Sequence, residues 1–259
     1  MSDATVRRAT KERHDALVRL LRSGVDSVGT LAERVDVSPS TVRRDLTRLQ
    51  REGRIARTYG GALVRDVFQE RPFDESAQIN LRAKAAIAET AAGLIPENGT
   101  VFLDAGSTCL ELARVIASAG PLTVVTRGLE AAILLARSPG IEVIMLGGRV
   151  RPLSHGLVGP IASLALERLS FDVAFLGTDA VDPLRGLGEP TIEETYVKEL
   201  AANRAAEVAV LADASKLGPA QLPAWIPLGA AWRLVTDAGA SPDTVSAFTA
   251  SGVVVLITE

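Results

Sequence analysis

The side chains of this sequence best suited to bind a macromolecular partner lie in one arginine-rich segment, SPSTVRRDLTRLQREG, residues 38–53. Guanidinium and hydroxyl groups bind phosphates, and arginine also reads base edges, so a face that combines them suits double-stranded DNA. The residues of this segment predicted to contact DNA are Ser38, Ser40, Thr41, Arg43, Arg44, Thr47 and Arg48. A solvated amphipathic helix with an arginine-rich surface would show the same pattern, so the segment alone leaves both interpretations open.

The same segment carries the signals of a helix with defined ends. Ser38 can cap the helix, Pro39 suits its first position, and Gly53 can end it in a left-handed conformation. Asp45 interrupts the basic face and can hold a neighbouring arginine in place. Apolar residues recur at helical spacing and predict the buried face, namely Val42, Leu46 and Leu49.

The flanking residues predict a complete winged helix-turn-helix. Helices are expected at residues 11–22 and 28–35, and a tight turn then leads into the arginine-rich helix. This order places the last helix in the major groove while the preceding helix braces it on the DNA backbone. Downstream, RIARTYGGALV alternates apolar and basic residues and predicts a small β-wing, in which Arg57 and Tyr59 contact phosphates.

A second group of polar residues follows predicted strands and suits a small anion. Residues 104–108, Asp-Ala-Gly-Ser-Thr, open a helix with two hydroxyls and free backbone N–H groups, which is how a phosphate is held at a helix N-terminus. A helix cap formed by Ser107 or Thr108 is the simpler alternative. The loops after the next two strands add a hydroxyl, a guanidinium and two glycines, Thr126, Arg127, Gly147 and Gly148.

Lysine is scarce in this chain, which has 24 Arg and only 4 Lys. Lys198 and Lys216 fall in or beside the strand-end loops of the second half, where a compact ammonium group suits a phosphate or a carboxylate. Alternatively, Lys198 pairs with Glu194 at i,i+4 spacing on an exposed helix. The sequence leaves these two roles of Lys198 open.

The second half of the chain alternates β-like runs with helical patterns, which is typical of a largely parallel sheet covered by helices. Ligands of such Rossmann-like α/β sheets bind outside the carboxyl ends of the strands. Strands are predicted at residues 100–103, 122–126, 141–146, 173–177, 207–212, 233–236 and 253–258. Helices are predicted at residues 79–95, 109–119, 129–137, 160–168, 191–205 and 242–251.

Composition and charge agree with two domains. The chain has 259 residues, of which 47% are hydrophobic and 23% charged, as is usual for globular proteins. Residues 1–71 contain 15 Lys and Arg against 10 Asp and Glu, and the remainder contains 13 against 21, so the basic charge is segregated at the N-terminus. We predict a DNA-binding domain at residues 1–64, a linker at 65–78 and an α/β effector-binding domain at 79–259.

Several classes of site are excluded by residue counts. The single cysteine, Cys109, cannot form an intramolecular disulfide or a multi-cysteine zinc site, and a small buried filler is its expected role. The two histidines, His14 and His155, make neither a catalytic triad nor a metal cluster, so neither a metal nor a cofactor is predicted. No run of residues has the length and apolarity of a signal peptide or a membrane span, which predicts a cytoplasmic protein without membrane contact.

The run VDVSPSTVRRDLTRLQREGRIARTYGGAL closely resembles the winged helix-turn-helix of DeoR-type bacterial transcription regulators. Tyr59 stands where that family commonly has His. The blocks FLDAGSTCLELA, LTVVTRGLEAA, VIMLGGRVR, FDVAFLGTDAVD, GLGEPTIEETYVKE and VLADASKLG are similar to its effector domain. The resemblance implies a fold related to ribose-5-phosphate isomerase (RpiA), NagB and the CoA-transferase-like group, and a domain that senses phosphorylated sugars or similar intermediates.

The resemblance also assigns roles within the effector domain. Arg127 stands where Asn is more usual, and Cys109 where the family often has Thr, so the identity of the ligand is open. By resemblance, the ligand would be bound by Asp104, Gly106, Ser107, Thr108, Thr126, Arg127, Gly147, Gly148, Glu194, Lys198 and Lys216.

Together these patterns predict a homo-oligomeric repressor, a dimer or tetramer, that binds an operator in double-stranded DNA and releases it when a phosphorylated sugar-type metabolite binds. The alternative is a sugar-phosphate isomerase-like enzyme with a DNA-binding appendage, because the second domain offers carboxylates and a lysine for proton transfer. A third possibility is an activator or architectural DNA binder without a small ligand. No catalytic residue is assigned.

Overall fold

The computed structural model describes residues 3–22, 25, 27–51, 55–58, 61–64, 70–227, 229 and 232–258. The chain divides into two compact units, Met1–Phe68 and Gln69–Glu259. Each unit has an apolar core of its own.

The first unit is a three-helix module with a two-stranded wing. Its elements are α1 (Asp3–Arg22), α2 (Val28–Arg34), α3 (Pro39–Arg51), β1 (Ile55–Thr58) and β2 (Gly61–Val64), and β1 pairs antiparallel with β2. The predicted order of helices and wing is confirmed. Helix α1 begins at Asp3 rather than at Lys11, because the added residues include good helix formers and no Gly or Pro.

The core of this unit lies where the three helices meet. Leu17 of α1 and Leu31 of α2 are fully buried. On α3 the three apolar residues at helical spacing, Val42, Leu46 and Leu49, are at most 2% exposed, so the predicted buried face of this helix is confirmed. Arg43, Arg44 and Arg48 are exposed and lie on the opposite face.

The second unit is built on a seven-stranded sheet in the order β14-β13-β11-β8-β3-β4-β5, with every neighbouring pair parallel. Its strands are β3 (Thr100–Leu103), β4 (Leu122–Thr126), β5 (Ile141–Met145), β6 (Arg149–Val150), β7 (Leu157–Val158), β8 (Phe171–Leu176), β9 (Ala180–Asp182), β10 (Gly186–Glu189), β11 (Ala205–Leu211), β12 (Ala224–Ile226), β13 (Arg233–Asp237) and β14 (Val254–Thr258). Its helices are α4 (Phe73–Ser76), α5 (Leu81–Ala92), α6 (Ser107–Ile116), α7 (Leu129–Leu135), α8 (Pro160–Leu166), α9 (Ile192–Asn203) and α10 (Pro242–Ala250), with a 3-10 turn at Ala214–Lys216.

Helices cover both faces of this sheet. Successive residues of β3 point to opposite faces, so Val101 and Leu103 pack in one apolar cluster and Phe102 packs in the other. The first cluster includes residues of α5, α6 and α7, and the second includes residues of α8, α9 and α10. The predicted parallel α/β architecture is confirmed, and the carboxyl ends of β3, β4, β8 and β11 lie along one edge of the sheet.

Several short elements lie where the sequence showed no periodicity. Strands β6 and β7 pair antiparallel, and β9, β10 and β12 form a second small sheet, in segments where no strand was predicted. These strands have two to four residues, too few to show an alternation in sequence. Helix α4 lies within the stretch assigned to a linker, and its Phe73 is 7% exposed because it packs in the core of the second unit.

Candidate functional site

The N-terminal end of α3 is capped as the sequence indicates. The Ser38 hydroxyl accepts a hydrogen bond from the Thr41 amide at 3.2 Å, and it also contacts the hydroxyls of Ser40 and Thr41. These contacts hold three of the predicted DNA-contacting side chains together at the start of the helix. The C-terminal residue predicted to end the helix, Gly53, lies outside the described residues.

The predicted DNA-contacting residues of α3 lie on its accessible face. Ser38, Ser40, Arg43, Arg44 and Arg48 are exposed, while Thr41 and Thr47 are half-buried. The Thr47 hydroxyl donates to the Arg43 carbonyl oxygen at 2.8 Å, which turns it towards the helix backbone. Of the two predicted wing residues, Arg57 lies on β1 opposite Ala62, where only the backbone is described, and Tyr59 lies outside the described residues.

Asp45 anchors α3 to α1. Its carboxylate accepts hydrogen bonds from Arg13 Nε at 2.7 Å and contacts His14 Nε2 at 3.0 Å, and both partners lie on α1. Asp45 is 7% exposed and His14 is 4% exposed. Burial raises the pKa of this carboxyl, but its bonds to Arg13 and His14 outweigh burial and hold the pKa below the usual range. The acidic residue within the basic helix therefore fixes the orientation of that helix.

In the second unit, the strand-end loops converge around Asp104. The Asp104 amide donates to the Phe175 carbonyl oxygen at 3.0 Å, and its carboxylate accepts hydrogen bonds from the amides of Ala105 and Gly177 at 2.7 and 3.1 Å. Gly177 packs closely against the loop after β3, because a Cβ there would lie 3.2 Å from the Ala105 carbonyl oxygen, a tight contact. The loops after β3 and β8 thus form one surface at the edge of the sheet.

The accessible rim of this surface has the properties of an anion site. Gly106 adopts φ 108°, and as the N-cap residue of α6 it offers no side chain to the first amides of the helix. Ser107 and Thr108 follow it and are half-buried. Across the adjoining loop, Lys216 Nζ donates to Asp179 Oδ1 at 3.0 Å, and the Lys216 side chain is 31% exposed. Backbone amides, hydroxyls and one ammonium group are therefore accessible to a small anion.

Beneath the rim lies a buried network of charged residues. Arg127 Nε donates to Asp104 Oδ1 at 2.5 Å, and Lys198 Nζ lies 3.2 Å from Asp104 Oδ2. Lys198 also binds the Glu189 carboxylate and donates to the Gly177 carbonyl oxygen at 2.8 Å. These four charged side chains are each at most 3% exposed.

The pKa shifts in this network follow from burial and from the sharing of cations. Burial raises the pKa of the Asp104 carboxyl, but Arg127 and Lys198 outweigh burial and lower it. Burial lowers the pKa of Lys198, but Asp104 and Glu189 outweigh burial and raise it. Burial raises the pKa of Glu189 to about 7, because its Lys198 partner is shared with Asp104 and compensates only in part.

A second part of the network runs from Arg127 to Glu70. Arg127 Nη2 lies 3.6 Å from Glu194 Oε1, and the same Glu194 oxygen accepts a hydrogen bond from the Ser154 hydroxyl at 3.0 Å. Arg151 binds Glu194 through Nη1 and Glu70 through Nη2, the latter at 2.6 Å. Glu194 is therefore paired with two arginines, and the alternative in which it pairs with Lys198 on an exposed helix is wrong.

The remaining predicted ligand-binding residues have structural roles. Thr126 is fully buried, and its hydroxyl accepts a hydrogen bond from the Gly128 amide at 3.0 Å. Gly147 and Gly148 are exposed and lead into the β6–β7 pair. Gly148 adopts φ 141°, and a Cβ there would lie 2.5 Å from the Val158 carbonyl oxygen, so the hairpin itself requires glycine. Gly106, Ser107, Thr108 and Lys216 are thus partly accessible, whereas Asp104, Thr126, Arg127, Glu194 and Lys198 are buried.

Sequence reasoning missed several residues of this region. Lys84, another of the four lysines, is 5% exposed and donates to the Ser76 carbonyl oxygen at 2.5 Å. Burial lowers its pKa, and nearby Asp213 offsets this only in part. The rarity of lysine could have marked Lys84, but no local pattern marks Glu189, Arg151 or Glu70.

A cleft of about 460 Å³ lies beside the 3-10 turn, lined by Asn80, Leu81, Arg82, Ala83, Asp213, Ala214, Ser215 and Asp237.

The chemistry available here is anion binding. Cys109 is fully buried and burial raises the pKa of its thiol, so the predicted role of Cys109 as a buried filler is confirmed. Within the described residues, no group of three or more His, Cys, Asp or Glu side chains is arranged to hold a metal ion. Among the described helices, none has the length and apolarity needed to cross a membrane.

Known protein families match both units. The family described as DeoR C terminal sensor domain matches residues 79–238, and the DeoR-like helix-turn-helix domain matches residues 13–67. Similar solved structures include ribose 5 phosphate isomerase A from Neisseria gonorrhoeae, which is 20% identical and covers 52% of each chain with a TM-score of 0.39.

Related proteins match over almost their entire length. The transcriptional regulator GlpR of Haloferax volcanii is 36% identical over 95% of this chain and 96% of its own length. A putative aga operon transcriptional repressor of Escherichia coli O157:H7 is 30% identical over 96% of this chain and 94% of its own. The lactose phosphotransferase system repressor of Streptococcus mutans is 32% identical over 88% and 92% of the two chains.

Proposed function

The chain belongs to the DeoR family of transcriptional regulators, and we propose that it represses a carbohydrate-metabolism operon and releases its operator when a phosphorylated sugar-type effector binds. The three relatives match nearly the whole chain, and each is named as a transcriptional regulator or repressor. The chain is therefore a transcriptional regulator rather than an enzyme. Two relatives are named after the aga operon and the lactose phosphotransferase system, which supports a carbohydrate operon as the target.

Helix α3 is the element proposed to bind DNA. Arg43, Arg44 and Arg48 are exposed on the face opposite its buried apolar residues. Asp45 holds the helix against α1. A helix presented in this way inserts its N-terminal half into the major groove, where Arg43 and Arg44 reach base edges and phosphates. A single module makes few base contacts, so we propose that two or four copies of the chain bind repeated half-sites.

The proposed effector site rests on one observation. The loop before α6, which offers backbone N–H groups, and the cationic Lys216 side chain both contact the Gly177–Asp179 turn. The loop that leads into α6 contacts this turn through Asp104 and Ala105, and Lys216 contacts it through Asp179. A phosphate bound there accepts hydrogen bonds from the first amides of α6 and from Ser107 and Thr108, and Lys216 neutralises part of its charge. The sugar portion of the effector would extend towards the cleft beside Ser215.

A ligand screen on the purified full-length protein tests the effector side. We expect one or more sugar phosphates of a panel to raise the unfolding temperature, whereas the matching unphosphorylated sugars do not. The stabilising compound should then weaken binding to an operator selected from random DNA, measured by gel shift. Stabilisation by the free sugars alone would contradict a phosphate site, and tight operator binding that no compound of the panel weakens would contradict the effector response.

A further inference from the structure

We propose that the buried ion pairs from Asp104 to Glu70 form a relay that couples the effector rim to the chain segment leading into the DNA-binding unit. The relay consists of Asp104, Arg127, Glu194, Arg151 and Glu70, in that order of contact. The inference rests on the proposed function, because it assigns the regulation of the proposed effector site.

The inner end of the relay lies directly under the rim. Asp104 precedes the Gly106–Thr108 turn by two residues, and its carboxylate holds the amides of Ala105 and Gly177. An anion at the rim adds negative charge above a carboxylate that already shares Arg127 and Lys198. Since charges interact strongly across a buried, weakly screened region, this added charge alters how Arg127 and Lys198 divide between Asp104 and their other acceptors.

The middle of the relay is a carboxylate shared unequally between two arginines. Glu194 makes a close contact with Arg151, but its distance to Arg127 Nη2 is 3.6 Å. Arg127 Nη1 is buried without a hydrogen-bond partner among the described residues. Gly156 packs against this guanidinium, since a Cβ there would lie 2.6 Å from Nη1, so solvent does not compensate the missing bond. Arg127 therefore has an incomplete set of partners and can exchange Glu194 for another acceptor.

The outer end of the relay reaches the start of the second unit. Glu70 is the second residue of the second unit, and its side chain is 12% exposed because it binds Arg151. The chain connects Val64 to Glu70 through residues 65–69. A change in how Arg151 divides between Glu194 and Glu70 therefore acts on the residue from which the chain continues into the DNA-binding unit.

Hydrogen exchange of the full-length, ligand-free protein tests this coupling. Glu70→Gln removes the outer charge while keeping the shape of the side chain, so Arg151 draws Glu194 further from Arg127. Arg127 is then a buried cation with one acceptor, which favours opening of the loop at Asp104. We expect amide exchange in residues 104–110 to accelerate by about threefold or more, with residues 254–258 of β14 unchanged as an internal reference.

Two further variants make the comparison decisive. Ser154→Ala removes one bond to Glu194 without changing charge and should accelerate exchange in the same residues to a smaller degree. Arg149→Ala breaks the exposed Arg149–Glu193 ion pair, which lies outside the relay, and should leave residues 104–110 unchanged. Unchanged exchange in residues 104–110 for both Glu70→Gln and Ser154→Ala would overturn the relay, as would an equal effect of Arg149→Ala.

A second experiment changes the inner end of the relay and measures exchange at its outer end. Because the relay is proposed to couple its two ends, Asp104→Asn should also change amide exchange in residues 70–76, which include α4. No ligand is used in these measurements, so they test the relay independently of the effector. If the protein binds no sugar phosphate, the proposed function is contradicted but the exchange data still test the relay. A rise in exchange limited to residues 104–110 in Asp104→Asn, with no change at 70–76, would overturn the relay.

Discussion

Arg127 and Asp104 form a fully buried ion pair across the carboxyl ends of the neighbouring strands β4 and β3, with 2.5 Å between Nε and Oδ1. Both residues were predicted to bind the effector, but the pair lies beneath the accessible rim. A buried pair of this kind is costly to break from one side, because the remaining charge is left without compensation. The region therefore divides into residues that can reach a ligand and residues that hold them in position.

The first prediction concerns base contacts by the exposed face of α3. Arg44→Ala should weaken operator binding by about 1 to 3 kcal/mol if the guanidinium reads a base edge, with no change in unfolding temperature. Arg114→Ala, an exposed arginine of α6, is a matched control that should bind the operator like the wild type. Gel-shift titrations against the selected operator and a scrambled sequence measure both. Equal affinity of Arg44→Ala and wild type on the operator would exclude Arg44 from the interface.

The second prediction concerns the anchor of α3. Asp45→Ala leaves Arg13 and the buried His14 without their shared carboxylate, so it should lower the unfolding temperature and also weaken operator binding. Because the folded-state pKa of Asp45 is lowered, its contribution to stability is present above the ordinary Asp value of 3.8 and is lost as pH falls below that value. Asp36→Asn, an exposed change in the α2–α3 turn, serves as the control. A stable Asp45→Ala protein with full operator affinity would show that the anchor is dispensable.

The third prediction separates the two lysines of the candidate effector site. Lys216→Ala removes a half-exposed charge from the rim, so it should weaken effector binding, leave operator affinity without effector near wild type, and give a repressor that does not respond to the effector. Lys198→Met instead leaves Asp104 and Glu189 buried without their shared cation, which should destabilise the second unit by about 3 to 5 kcal/mol.

Denaturant unfolding and gel shifts with the effector identified by the screen distinguish these outcomes. A normal response of Lys216→Ala over a wide range of effector concentration would place the pocket elsewhere. A Lys198→Met protein as stable as the wild type would contradict the structural role assigned to that lysine.

The fourth prediction is a pH dependence of stability caused by Glu189. Burial raises its pKa from the ordinary 4.5 to about 7, so the folded protein holds this proton to a higher pH than the unfolded chain does. The folded state is therefore favoured by this group below about pH 4.5, and that stability is lost as pH rises towards 7. Glu189→Gln should reduce the fall in unfolding temperature between pH 5 and pH 7.5 in thermal scans. An identical slope in the wild type and in Glu189→Gln would assign the dependence to other groups.

The sequence by itself determined the elements and their order. The spacing of Val42, Leu46 and Leu49 predicts the buried face of α3, and the alternation of β-like runs with helical patterns predicts the parallel sheet. These predictions succeed because the spacing of apolar residues shows which face of an element is apolar. Burial of that face is the main favourable free-energy term in folding. The short strands β6 (two residues) and β10 (Gly186–Glu189, with two glycines) show no such pattern.

Only the tertiary structure decided which polar residues are accessible and which are paired. Nothing in the local sequence separates Arg127, Lys198 and Glu194 from Lys216, yet the first three are at most 3% exposed and the Lys216 side chain is 31% exposed. Their partners lie on other strands and helices, so no spacing along the chain encodes the pairing. A buried charge persists only where the fold brings an opposite charge and hydrogen bonds to it, and that condition is set by the packing of distant segments.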